Sequence, residues 1–137
     1  MDSVFADLRV VASGPAWTLY RDGSAVFVVR YHGDIDDEAS DAWRAAAADN
    51  VGAEGWPRNG LVAPTEGAAV NSLSSRMRTA AFLRRCCQHL TRVVILDDNH
   101  GFVAKTIMRA AGIDNVQLRP VDDATAILAE LRNVDSG

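Results

Sequence analysis

The chain has 137 residues, 48% hydrophobic and 23% charged, with a formal net charge of -4 at pH 7. That length suits one domain with a proper core. The acidic balance, with a pI near 5.2, argues against a general nucleic-acid binder, and no apolar run approaches the ~20 residues that a membrane-spanning helix needs.

Met1 to Ala12 lacks the basic start and apolar centre of a secretory signal. Val4 to Val11 fits either a short helix or an edge strand, and Gly14-Pro15 ends it. Trp17 to Tyr20 reads as a strand. Asp22-Gly23 is a hairpin signal, since both positions can take positive φ. Ala25 to Tyr31 is the returning strand, and Val26-Phe27-Val28-Val29 is apolar on both faces, as a covered central strand requires. Gly33-Asp34-Ile35-Asp36 closes that strand and opens a helix. Asp36 is the expected N-cap, and Asp37 and Glu38 suit the positive end of the helix dipole. Ala39, Ala42, Trp43 and Ala46 then recur at helical spacing.

Gly52 to Gly60, rich in glycine, reads as a surface loop. Leu61-Val62-Ala63 is a short strand whose pairing ends at Pro64. Thr65 to Asn71 is a turn-rich connection. Ser72 or Ser74 caps the second helix, which runs to about Leu90. Met77, Ala80, Ala81, Leu83, Arg84, Cys87 and Leu90 form its stripe, and Arg76, Arg78, Arg84 and Arg85 its basic outer surface. Arg92 to Leu96 is a β-branched strand, followed by Asp97-Asp98-Asn99-His100-Gly101. A third helix would bury Val103, Ile107, Ala110 and Ala111 and stop at Gly112. Val116-Gln117-Leu118 is the last strand. The final helix follows Asp122 as N-cap, with Ala124, Ile127, Leu128 and Leu131 at i, i+3, i+4, i+7.

Strands alternating with helices imply parallel strands joined by crossovers. The expected fold is α/β: one domain over 1–137, core about 17–132, with a mixed, mostly parallel five-stranded sheet and about four helices. The first strand, Trp17 to Tyr20, would lie antiparallel at an edge.

This order of elements resembles the STAS domain of bacterial anti-sigma-factor antagonists, over roughly Trp17 to Arg132. Phe27-Val28-Val29-Arg30-Tyr31-His32-Gly33-Asp34-Ile35-Asp36 looks like that family's second strand, which ends in glycine, a variable residue, an apolar residue and aspartate. Val70-Asn71-Ser72 lies where the family has an apolar residue and then aspartate-serine opening the second helix. Asn71 stands in place of the aspartate, and Leu73-Ser74 in place of a small residue and glycine. The resemblance implies helices mostly on one face of the sheet, a protein partner such as an anti-sigma-factor-like kinase, and a phosphorylated serine at Ser72. It extends to lipid-carrying domains of related fold.

Several residues invite chemistry. A phosphate on Ser72 or Ser74 would meet the free N–H groups and positive dipole of a helix start, with Arg76 and Arg78 adding charge-assisted bonds; a plain N-cap and solvated serines are the alternative for Ser72, Ser74 and Ser75. His32 and Asp34 flank Gly33 on a strand-end loop that should open on the same rim as Ser72 and Asp97. A hydrolase reading of that His/Asp/Ser set lacks a G-x-S-x-G elbow. A receiver-type reading of Asp97 and Asp98 fails on element order, and capping by Asp98 or Asn99 explains them. Cys86, Cys87 and His89 supply too few converging ligands for a metal, and adjacent cysteines point to a reduced, cytoplasmic setting.

The sequence therefore leads to the expectation of a non-catalytic cytoplasmic regulatory module without metal or cofactor. It would dock a protein partner through the start of the second helix. Ser72 or Ser74 would be the switch, and His32, Asp34, Asn71, Ser75, Arg76 and Arg78 the contact surface. A homodimer is a second way of pairing. The alternatives are a small-ligand or lipid-binding module, with a cavity lined by Trp43, Phe82 and Phe102, and an enzyme, with Ser72 in reach of His32 or His100.

Overall fold

A strand that is apolar on both faces must be covered on both, and Val26–Tyr31 is: all six residues are buried. In the computed structural model, which describes residues 8–33, 35–64, 73–86, 90–96 and 116–132, this strand is β3 of a six-stranded mixed sheet with sequential order β1-β2-β3-β4-β5-β6. The strands are β1 (Arg9–Ser13), β2 (Trp17–Asp22), β3 (Val26–Tyr31), β4 (Asn59–Pro64), β5 (Arg92–Leu96) and β6 (Val116–Arg119). The first three form an antiparallel meander, and β3 to β6 run parallel. The described α-helices are α1 (Asp37–Asn50), α2 (Leu73–Cys86) and α3 (Ala124–Arg132). The fold is thus α/β, with one strand more than the five expected. The helix expected near 101–111 lies outside the described residues.

The sixth strand resolves the ambiguity of Val4 to Val11. Arg9–Ser13 is β1, so Trp17–Asp22 is an interior strand rather than the edge. The reason is tertiary: β2 exposes a second row of backbone donors and acceptors once β3 has taken the first, and a β-branched Val10-Val11 pair can satisfy them. The register shifts between Val10 and Ala12. Such a bulge bends an edge strand and discourages further pairing. At the β2–β3 hairpin the Ala25 N–H donates to the Asp22 carbonyl at 3.1 Å. The central positions are therefore Gly23 and Ser24, one residue later than expected, and Gly23 alone takes positive φ, at 51°.

Alternation along each strand divides the core in two. Phe27, Val29, Tyr31, Val62 and Val93 pack with Trp43 and Ala47 of α1 and Ala80, Phe82 and Leu83 of α2. Val26, Val28, Leu61, Ala63, Val94 and Leu96 pack with Ala124, Ile127, Leu128 and Leu131 of α3. Crossovers that step one way along a sheet with one hand place their helices on one face, and α1 and α2 obey that. The helix after the last strand returns to no strand, and α3 covers the opposite face instead. The one-face expectation therefore holds for α1 and α2 and not for α3.

Local details agree with short-range chemistry and depart where packing intervenes. Asp36 caps α1, its carboxylate accepting from the Ala39 N–H at 2.8 Å. The buried stripe of α1 is Ser40, Trp43, Arg44 and Ala47. Ala42, expected inside, is exposed. In α2, Met77 and Ala81 are exposed while Ala80, Phe82 and Leu83 are buried. The described helix ends at Cys86, and buried Leu90 joins the core just ahead of β5. A short 3-10 turn, Val121–Asp123, precedes α3, with the Asp123 N–H bonded to the Pro120 carbonyl at 3.0 Å. The loop after α1 is more than surface. A β-carbon on Gly60 would sit 2.9 Å from the Phe27 ring, so glycine lets Phe27 lie across β4 and meet Trp56, ring centroids 5.4 Å apart. The Asn59 amide donates to the carbonyls of Ala25 (3.1 Å) and Leu131 (3.2 Å), and Arg92 reaches Gln117 and Glu130. Both ties fasten α3 to the sheet.

Because Ile127 is fully buried at the centre of the α3 core, Ile127→Ala should cost about 2–5 kcal/mol. The expected readout is a lower urea midpoint with an unchanged m-value.

Candidate functional site

In open α/β sheets ligands and partners favour the loops at the carboxyl ends of the parallel strands. Those ends share one rim here. Tyr31 closes β3 opposite Pro64 of β4, and Val62 of β4 stands opposite Ile95 of β5. The ends of β3, β4 and β5 are therefore neighbours, and His32 directly follows the first of them. His32 is exposed, and its Nε2 lies 2.7 Å from the Thr18 hydroxyl; its backbone N–H donates to the Ala16 carbonyl at 2.8 Å. The ring is thus fastened to β2, the neighbour across the β3 ladder, where Thr18 faces Arg30.

Asp34, Asn71, Ser72, Asp97, Asp98, Asn99, His100, Cys87, His89 and Phe102 lie outside the described residues. Ser74, Ser75 and Arg76 fall in the first turn or so of α2. Arg78, two residues further on, is exposed and donates to Asp41 at 3.1 Å. The basic face of α2, which has no acid of its own, therefore finds one on the adjacent helix. A surface pair of this kind contributes about 0–1 kcal/mol.

Beneath that pair lies a polar cluster that helical spacing did not reveal. Arg44 is buried on α1. Its Nη1 donates to the hydroxyls of Ser40 (2.5 Å) and Thr79 of α2 (2.7 Å), and its Nη2 donates to Asp41. A buried guanidinium needs partners of this kind to offset lost hydration. Three of the four residues sit on one helix, Ser40 to Arg44 at i, i+4 and Asp41 to Arg44 at i, i+3. That spacing is the signal that could have found them; Thr79 is 35 residues away and had none.

The same Arg44 bears on Tyr31. Burial pushes the Tyr31 hydroxyl well above its ordinary range, and the positive Arg44 opposes that rise without cancelling it. Tyr31, Trp43, Phe82, Trp56 and Phe27 form a continuous aromatic row beneath α1 and α2, with successive centroids at 6.3, 5.7, 5.9 and 5.4 Å. Trp43 and Phe82, expected to line a cavity, are both buried and meet edge to face. Among the described residues no group of three or more His, Cys, Asp or Glu is placed to hold a metal ion, and no helix is long and apolar enough to cross a membrane.

Compared with protein-family models, curated proteins and solved structures, the chain matches none.

The buried Tyr31 makes alkaline stability its readout. A pKa raised on folding means that the unfolded chain loses its proton first, so the contribution is complete below the unfolded tyrosine value of about 10 and declines as pH rises above it. Tyr31→Phe should flatten the fall in stability above about pH 10, measured by urea unfolding at several pH values; an unchanged slope would place the alkaline sensitivity elsewhere.

Proposed function

We propose that this chain is a non-catalytic, cytoplasmic regulatory module that resembles anti-sigma-factor antagonists and docks a protein partner on the rim formed by His32 and the start of α2. The observation that supports this reading is the topology: the parallel strands end along one edge of the sheet, and α2 is the helix that follows β4 in the chain. Ser72 is the candidate switch and Ser74 its substitute. A phosphate there would add up to about two negative charges beside a helix start, where backbone N–H groups, Arg76 and Arg78 favour it, and would repel an acidic partner. His32, Asp34, Asn71, Ser75, Arg76 and Arg78 border the contact surface.

His32 is held by the Thr18 hydroxyl of β2, a setting that suits a fixed side chain on a docking surface. A ligand-binding module is less well supported than a docking one, because Trp43 and Phe82, two of its expected lining residues, are buried and packed edge to face on each other.

Affinity capture from cell extract with three baits tests the proposal. The wild-type chain should retain a protein that Ser72→Asp loses and that Arg78→Ala retains several-fold less well. Equal recovery by wild type and Ser72→Asp removes Ser72 as the switch, and equal recovery by Arg78→Ala removes the basic start of α2 from the contact.

A further inference from the structure

The two helices on the first face carry opposite charge. Along α1 the exposed side chains include Asp37, Glu38, Asp41 and Asp49, while Arg44, its one cation, is buried. Along α2 the exposed charges among the described side chains are Arg78, Arg84 and Arg85, and the helix has no acid. Both helices run from the carboxyl rim toward the amino edge of the sheet, and both have 14 residues. The contacts Asp41–Arg78 and Arg44–Thr79 set their register, so that Asp49 comes level with Arg85. Helical spacing turns Glu38, Ala42, Ala45 and Asp49 away from the buried stripe of α1, and Met77, Ala81, Arg84 and Arg85 away from that of α2. Met77, 57% exposed, is the one large exposed apolar side chain of α2 among the described residues.

We propose that this α1–α2 face pairs with the same face of a second copy of the chain. The charge pattern selects the symmetry. A two-fold axis across the helices would set α1 on α1 and α2 on α2, placing like charges together. A two-fold axis parallel to the helices and midway between them sets α1 over the partner's α2, and it preserves height along the helices. Asp49 then meets the partner's Arg84 and Arg85, Glu38 and Asp41 lie toward the partner's Arg78, and Met77 settles against the partner's Ala42 and Ala45. The interaction is self-complementary, as a closed dimer requires. It leaves Asp49, Arg84 and Arg85, which make no ion pair within the chain among the described residues, with partners.

Each helix is about 21 Å long and neighbours lie roughly 10 Å apart, so the face covers roughly 400 Å² per protomer. That is roughly 800 Å² in total, below the range of stable complexes, and predicts a weak dimer whose affinity falls with salt. The face shares Arg78 with the rim proposed for the partner but is centred on Asp49, Arg84 and Arg85, which that rim does not use, so the two readings can be tested separately.

Sedimentation velocity on the full chain, from about 10 μM to 1 mM, tests it. The wild-type chain should shift from monomer to dimer over that range, and raising salt from about 50 mM to 500 mM should weaken the dimer about tenfold. Asp49→Lys alone, and Arg84→Glu with Arg85→Glu, should each remain monomeric, because each places like charges across the axis. Mixed in equal amounts they should form a heterodimer, since Asp49 then meets the partner's arginines and Lys at 49 meets the partner's glutamates. Circular dichroism and urea midpoints confirm that each variant is folded. A wild-type chain that stays monomeric throughout, variants that dimerise as it does, or a mixture that stays monomeric would each overturn the proposal.

Discussion

Strand β3 is the constraint on which the rest depends. Its six residues are buried, and their alternate side chains feed two separate cores: Phe27, Val29 and Tyr31 under α1 and α2, Val26 and Val28 under α3. Because side chains alternate with a period of two, a slip of one residue would exchange the two sets. The aromatic row would lose Phe27 and Tyr31, and valines would face Trp43. The strand also joins the two halves of the sheet, pairing antiparallel with β2 and parallel with β4, so that Tyr31 sits between Trp17 and Pro64.

The candidate rim inherits its geometry from that strand. Parallel pairing brings the strand ends to one edge, while the meander on the other side of β3 supplies Thr18 to hold His32. Below the rim, Arg44 and its hydroxyl and carboxylate partners join α1 to α2 with directional bonds, whereas the aromatic row joins both helices to the sheet with bulk. Aromatic pairs at these distances contribute about 0.5–1.5 kcal/mol each beyond area burial, more than the surface ion pair of Arg78 and Asp41. Packing therefore positions the helices, and the exposed charges contribute little to holding them there.

Some of this was legible in the chain because it is local. Asp36 as N-cap, Gly23 in the hairpin and the stripe Ala124, Ile127, Leu128, Leu131 each depend on residues within a turn or two. Other features were not, because their cause lies far along the chain. Ser40 and Arg44 are inside α1 and Ala42 outside, since Thr79 accepts from the guanidinium and Trp43 must face Tyr31 and Phe82. Arg9–Ser13 is a strand because β2 has a free edge to fill. Met77 is exposed and Phe82 buried because α2 turns toward Trp43 and Trp56 rather than along its most regular apolar spacing. For the candidate site, the positions of His32 and Arg78 were legible from strand and helix ends, while the bonds to Thr18 and Asp41 were not.

Hydrophobic periodicity and turn chemistry in the amino-acid order were enough to establish an α/β chain whose central strand is covered on both sides. Both act over short separations, where each residue's preference can be read from its neighbours. The number of strands, the division of helices between the two faces and the opposition of an acidic α1 to a basic α2 arose from packing in three dimensions. Those outcomes depend on which distant segments share an edge or a face, and burial and pairing energies between distant residues leave no periodic trace along the chain.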